Sequence, residues 1–101
     1  MDRLQQLELL LKEKPNNAFL LFATGKEYEG LNDLDNALKY YLKLIDVSPD
    51  YVGVYYHLGK LYEILEEPQK ALKTYEDGIK MAEKQGDAHA KSELLGAKSN
   101  L

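Results

Sequence analysis

Apolar residues recur along this chain at three- and four-residue steps, the spacing that puts side chains on one face of a helix. Leu4, Leu7 and Leu11 begin the pattern, and Leu21, Thr24, Gly25 and Tyr28 continue it. Ala37, Leu38, Tyr41, Leu44 and Ile45 form a third stripe, followed by Tyr55, Leu58, Gly59 and Tyr62. Ala71, Leu72, Tyr75, Gly78 and Ile79 form a fifth, and Ala90, Leu94, Ala97 and Leu101 a sixth. The pattern predicts an all-α fold of six helices, near 3–13, 17–30, 34–47, 51–65, 68–85 and 87–98, with negligible strand.

The residues between the stripes agree with this division. Asp33 follows Gly30-Leu31-Asn32 and is placed to accept hydrogen bonds from the free amides of the next helix. Pro49 ends that helix, because proline has no amide to donate and its ring clashes with the preceding turn. Pro68 falls at the first position of a helix, where proline is best tolerated. Glu83 stands where a third proline is due, so the helix from Pro68 is expected to run about one turn longer than its counterpart, to Gly86.

Pro15 and Pro49 are 34 residues apart, and that offset applies to the whole chain. Residues 18–51 align with 52–85 without a gap. Gly25, Lys26, Tyr28, Glu29, Leu31, Ala37, Leu38, Lys39, Tyr41 and Ile45 meet identical residues at 59, 60, 62, 63, 65, 71, 72, 73, 75 and 79. These ten identities compare with about three expected by chance at this composition. Carried backwards, the offset places Leu4, Leu7 and Leu11 under Leu38, Tyr41 and Ile45. The chain therefore reads as one domain over residues 1–101: a half repeat at 3–15, repeats at 18–51 and 52–85, and a closing helix within 87–101.

Glycine inside a helix costs about 0.5–1 kcal/mol relative to alanine, so its reuse at 25 and 59 implies a packing benefit. The expected benefit is close approach of the paired helices, with Ala37 and Ala71 doing the same from the facing side. Tyr28, Tyr41, Tyr62 and Tyr75 are expected to fill the larger gaps with their hydroxyls reaching toward the surface.

The 34-residue period and the series Leu21, Gly25, Tyr28, Ala37, Tyr41, Pro49 resemble the tetratricopeptide repeat, with Tyr55, Leu58, Gly59, Tyr62, Ala71 and Tyr75 as a similar second copy. Thr24 replaces the usual bulky residue, Leu44 and Gly78 replace alanine, and the second copy lacks its closing proline. The resemblance implies antiparallel helical hairpins stacked in a short right-handed superhelix. It also implies a protein–protein interaction module that takes a peptide or helix of a partner protein in a concave groove lined by the first helix of each hairpin.

On the helical wheel, Phe19, Phe22, Lys26 and Glu29 lie opposite Leu21, Gly25 and Tyr28. Gly53, Tyr56, Lys60 and Glu63 form the equivalent stripe, with Ala23 and His57 beside them. An aromatic floor with one lysine per repeat suits an extended segment bearing apolar side chains and a carboxylate. The alternative is that Phe19 and Phe22 pack against the N-terminal helix and the lysines are solvated. The family's chaperone-tail clamp fits poorly. Lys26 matches, but Phe22 stands where the clamp has a lysine and His57 where it has an asparagine.

Composition narrows the classes further. Lys and Arg number 13 against 17 Asp and Glu, a net charge of −4 that argues against a nucleic-acid partner and gives no attraction to an anionic membrane. No run approaches the ~18 apolar residues of a membrane helix, the opening segment does not read as a secretory signal, and the cytoplasm is the default location. With no cysteine, thiolate metal sites and thiol nucleophiles are excluded. His57 and His89 sit on different predicted helices without a serine-histidine-acid pattern, and His89 with Glu93 is too little for zinc. No enzymatic activity, cofactor or metal is expected. The competing role is an assembly element that self-associates without a dedicated peptide ligand. Leu9 and Leu10 lie off the repeat's apolar stripe, so weak homodimerisation through the first helix is expected.

Overall fold

The computed structural model describes residues 1–101 as six helices: α1 (Arg3–Glu13), α2 (Ala18–Gly30), α3 (Leu34–Val47), α4 (Gly53–Ile64), α5 (Pro68–Gln85) and α6 (Ala88–Ser99). There is no strand. The helix starts follow local chemistry. Asp2 and Gln5 form a reciprocal capping box on α1, with the Gln5 amide donating to Asp2 at 2.8 Å. Asn17, Asp33 and Asp87 accept from the amides of Leu20, Asn36 and Ala90, three residues into α2, α3 and α6. α4 starts two residues later than the periodicity predicts; Val52 precedes it and has no side-chain oxygen to cap the free amides.

α5 has 18 residues against 14 in α3, the extra turn expected from Glu83 standing in place of proline. It ends at Gly86, whose φ of 69° lies in the left-handed region that glycine enters without steric cost. The two hairpin turns end their first helices in the same way. Asn32 and Glu66, one repeat apart, have φ of 57° and 59°. The amides of Asp33 and Glu67 reach back to the carbonyls of Tyr28 and Tyr62 at 2.9 and 2.8 Å. The left-handed residue of the first turn is therefore Asn32, while Gly30 is the last residue of α2. Asparagine tolerates this conformation and glutamate resists it, so Glu66→Gly is expected to raise stability by about 0.5–1 kcal/mol in urea denaturation. An unchanged midpoint would show that the turn holds Glu66 without strain.

Packing gathers into two compact units, Met1–Tyr51 and Val52–Leu101, whose border coincides with the end of the first repeat. In the first, α2 packs on both α1 and α3. Leu21, Ala37, Tyr41 and Leu44 form its core with Leu7 and Leu11, and Leu4 is half-buried. The α1–α2 contact is also polar: Arg3 Nε lies 2.8 Å from Glu27 Oε1, and the Tyr28 hydroxyl donates to Glu8 at 3.2 Å. Thr24, fully buried, donates its hydroxyl to the Leu20 carbonyl at 2.7 Å, so a polar side chain is accommodated at a core position.

In the second unit, α5 lies against α4 and α6, which also touch each other. Gly78 lies where all three meet: a Cβ there would be 3.0 Å from Leu94 and closer to Tyr55. This explains why the second repeat has glycine where the first has Leu44. Leu94 and Ala97 of α6 are buried and Ala90 is half-buried. Leu101 does not extend their stripe, because it lies beyond the end of α6 and is 47% exposed.

Two expectations about packing are corrected. Tyr41 and Tyr75 have 0% exposure, and their hydroxyls do not reach the surface; they donate to the carboxylates of Glu29 and Glu63 on the paired helix. Burial foremost, then these hydrogen bonds and the carboxylate charges, raise both phenol pKa values well above the ordinary value. Gly25 and Gly59 make room for aromatic rings and not for a neighbouring helix backbone. Each faces the ring of the tyrosine sixteen residues on, Tyr41 or Tyr75.

Candidate functional site

The outward stripe of α2 begins with Phe19, 62% exposed near the start of the helix. Phe22, one turn on, is half-buried, with its ring centroid 5.2 Å from Tyr51 and 6.1 Å from Tyr41. Lys26, a further turn along, carries its ammonium 5.7 Å from the centre of the Phe22 ring. Four residues of helix bring the two side chains onto one face, and the ring quadrupole attracts the cation. Glu29 completes the stripe, its carboxylate accepting the Tyr41 hydroxyl.

α4 repeats the arrangement 34 residues later. Lys60 places its ammonium 5.6 Å from the centre of the Tyr56 ring. His57 meets that ring edge-on, with centroids 6.0 Å apart and planes at 84°. Lys60 also approaches Glu63 Oε2 at 3.7 Å, while Glu63 accepts the Tyr75 hydroxyl. Each unit thus presents a lysine held over an aromatic ring, next to a glutamate anchored from the opposite side by a buried tyrosine.

Tyr51 is a part of this surface that the helical wheel does not reveal. It lies in the turn after Pro49, where its amide donates to the Ser48 carbonyl at 3.0 Å, and a wheel drawn for α2 does not include it. Its position immediately after the Pro49-Asp50 turn was the available signal. Ala23, expected beside the stripe, is buried.

His89 Nε2 and Glu93 Oε2 are 3.7 Å apart on an exposed face of α6. No three His, Asp or Glu side chains gather closely enough to hold a metal ion. No helix is long and apolar enough to cross a membrane.

Residues 25–64 match the family pattern described as TPR repeat, and residues 52–85 the one described as tetratricopeptide repeat. The tetratricopeptide repeat domain protein of Salinibacter ruber is 39% identical in sequence and superposes with a TM-score of 0.80, over 83% of this chain and 93% of that one. The chain belongs to the tetratricopeptide repeat family. A Bordetella parapertussis protein of known solution structure is 26% identical, with a TM-score of 0.84 over 99% of this chain and 87% of that one. Among curated proteins, the O-mannosyl-transferase TMTC3 of Homo sapiens is 34% identical over 65 residues, 64% of this chain. The chain spans 7% of the length of that relative.

Tetratricopeptide repeats are generally protein–protein interaction modules, and their fold is typically non-catalytic. In this member the repeat positions that face inward are taken up by packing, including both tyrosine–glutamate links. Phe19 and Lys26 of α2 are exposed, and Phe22 of α2 and Tyr56, His57 and Lys60 of α4 are half-buried.

Proposed function

We propose that this tetratricopeptide repeat protein binds an extended segment of another protein through the first helix of each repeat. Phe19, Phe22, Lys26 and Glu29 would serve in the first unit, and Tyr56, His57, Lys60 and Glu63 in the second. The observation that carries the reading is the recurrence of a lysine ammonium over an aromatic ring, at 5.7 and 5.6 Å, in the same position of both repeats. A half-buried ring offers an apolar surface at little entropic cost, and the ammonium beside it offers charge to a carboxylate. Glu29 and Glu63, held by Tyr41 and Tyr75, set the polar limit of each face.

The test uses immobilised peptides with an apolar side chain next to a terminal or side-chain carboxylate. Lys26→Glu together with Lys60→Glu is expected to weaken capture by about tenfold at low salt, and by less at high salt, with helicity unchanged. Each single change should account for part of the loss. Equal capture by wild type and double variant would rule out an electrostatic role for these faces.

The second reading is self-association through α1, favoured by Leu9 and Leu10, each 47% exposed. Light scattering on the sample used for capture separates the two. A monomer that captures peptide supports recognition by α2 and α4. A dimer that dissociates with Leu9→Lys and Leu10→Lys, and captures nothing, supports assembly.

A further inference from the structure

The first unit contains a second surface that shares no residue with the Phe19, Phe22 and Lys26 face. A pocket of about 300 Å³ opens among α1, α2 and α3. Leu11 and Leu21 form its apolar floor, with Lys12, Lys39, Lys43 and Tyr40 around them.

Positive charge gathers at this pocket. Some basic side chains elsewhere lie against acidic ones, as in Arg3–Glu27 at 2.8 Å, Lys91–Glu83 at 2.9 Å and Lys98–Glu76 at 3.2 Å. Lys12, Lys39 and Lys43 have no carboxylate within ion-pair distance, in a chain whose net charge is −4. The acid in the pocket wall, Glu8, already accepts the Tyr28 hydroxyl at 3.2 Å. Three ammonium groups and one carboxylate leave a local excess of two positive charges.

Tyr40 adds a hydroxyl donor to the lining. Its ring stacks on Tyr28 with centroids 5.6 Å apart and planes at 16°, and the Lys39 ammonium sits 5.6 Å from its centre. The Tyr40 hydroxyl has no hydrogen-bond partner within the protein. Burial first, and the Glu8 charge second, raise its pKa, so it remains a proton donor at neutral pH.

We propose that this pocket binds a phosphate monoester carried on a side chain of a partner protein. A phosphorylated side chain brings about −1.5 to −2 charges and three acceptor oxygens. Those match the local excess of two and the separate point donors that lysines provide. A carboxylate would leave at least one charge unbalanced. The apolar floor of Leu11 and Leu21 suits the stem of a side chain, which free phosphate lacks. This inference is independent of the α2 and α4 reading, so either can fail without the other.

The experiment is a titration of the full chain, followed by amide NMR shifts at constant low ionic strength. The ligands are N-acetyl-phosphoserine methylamide, its glutamate counterpart and inorganic phosphate. The phosphoserine compound should give saturable shifts centred on Leu11, Lys12, Tyr40 and Lys43, and bind at least about threefold more tightly than the other two. Lys39→Gln with Lys43→Gln should weaken it about tenfold, and Tyr40→Phe about threefold, with circular dichroism unchanged. Absence of saturable shifts, or shifts unaffected by the lysine changes, would overturn the proposal. Equally tight binding of the glutamate compound would overturn the assignment to phosphate. Equally tight inorganic phosphate would reassign the pocket to a free anion and overturn the partner protein as its source.

Discussion

Gly59→Ala is expected to destabilise the protein by about 1–3 kcal/mol, although alanine is the better helix former. The reason is the ring of Tyr75. A Cβ at position 59 would lie 2.6 Å from Cδ1 and Cζ of that ring and closer still to Cε1. Carbon atoms pack at about 3.5–4.0 Å, so either the ring or the helix must move. The ring is poorly placed to do so, being fully buried with its hydroxyl bound to Glu63. Gly25→Ala should behave alike against Tyr41. Gly96 of α6 is the control, because nothing lies within 4 Å of a Cβ built there. Gly96→Ala should gain about 0.5–1 kcal/mol from helix propensity alone. Urea denaturation of the three variants separates the effects by sign. A raised midpoint for Gly59→Ala would show that the ring does not fill the space the glycine leaves.

Stability should also fall steeply as the solution becomes alkaline. Tyr41 and Tyr75 are both buried and hydrogen-bonded to carboxylates, and both keep their protons beyond the ordinary tyrosine range in the fold. In the unfolded chain they titrate near a pKa of about 10. Below that pH both states are protonated and the full contribution is present. Above it the unfolded state releases protons that the folded state retains, which draws the equilibrium toward unfolding. Each tyrosine then costs up to about 1.4 kcal/mol per pH unit. Thermal melts from pH 8 upward should show this decline, and Tyr41→Phe with Tyr75→Phe should flatten it. At neutral pH the same variants should each lose about 0.5–1.5 kcal/mol, because Glu29 and Glu63 lose a donor. An alkaline slope identical in the double variant would mean the decline comes from other groups.

The two experiments examine one device from different sides. Glycine on the first helix of a hairpin, tyrosine on the second and glutamate near the end of the first form a set in which each residue limits the others. The ring occupies the space left by the glycine, and its hydroxyl satisfies the glutamate. This set occurs in both repeats and explains three of the identities at the 34-residue offset.

The number of helices, most of their ends and their pairing into hairpins were legible in the sequence, because each depends on residues close together in the chain. A 3.6-residue period, Asp33 as a cap, Pro49 as a stop and the absence of a proline at 83 act over one or two turns, and internal doubling made the reading self-checking. The stripe from Phe22 to Lys26 was legible for the same reason, since four residues of helix bring the two together. Only the tertiary structure decided where side chains go once helices meet. It seated rings on Gly25 and Gly59, turned two tyrosine hydroxyls inward to Glu29 and Glu63, and laid Tyr51 against Phe22. It also gathered Lys12 of α1 with Lys39 and Lys43 of α3 around one pocket. Periodicity says which face of a helix is apolar, but not which residue stands opposite. That depends on the distance and rotation between packed helices, which no window along the chain contains.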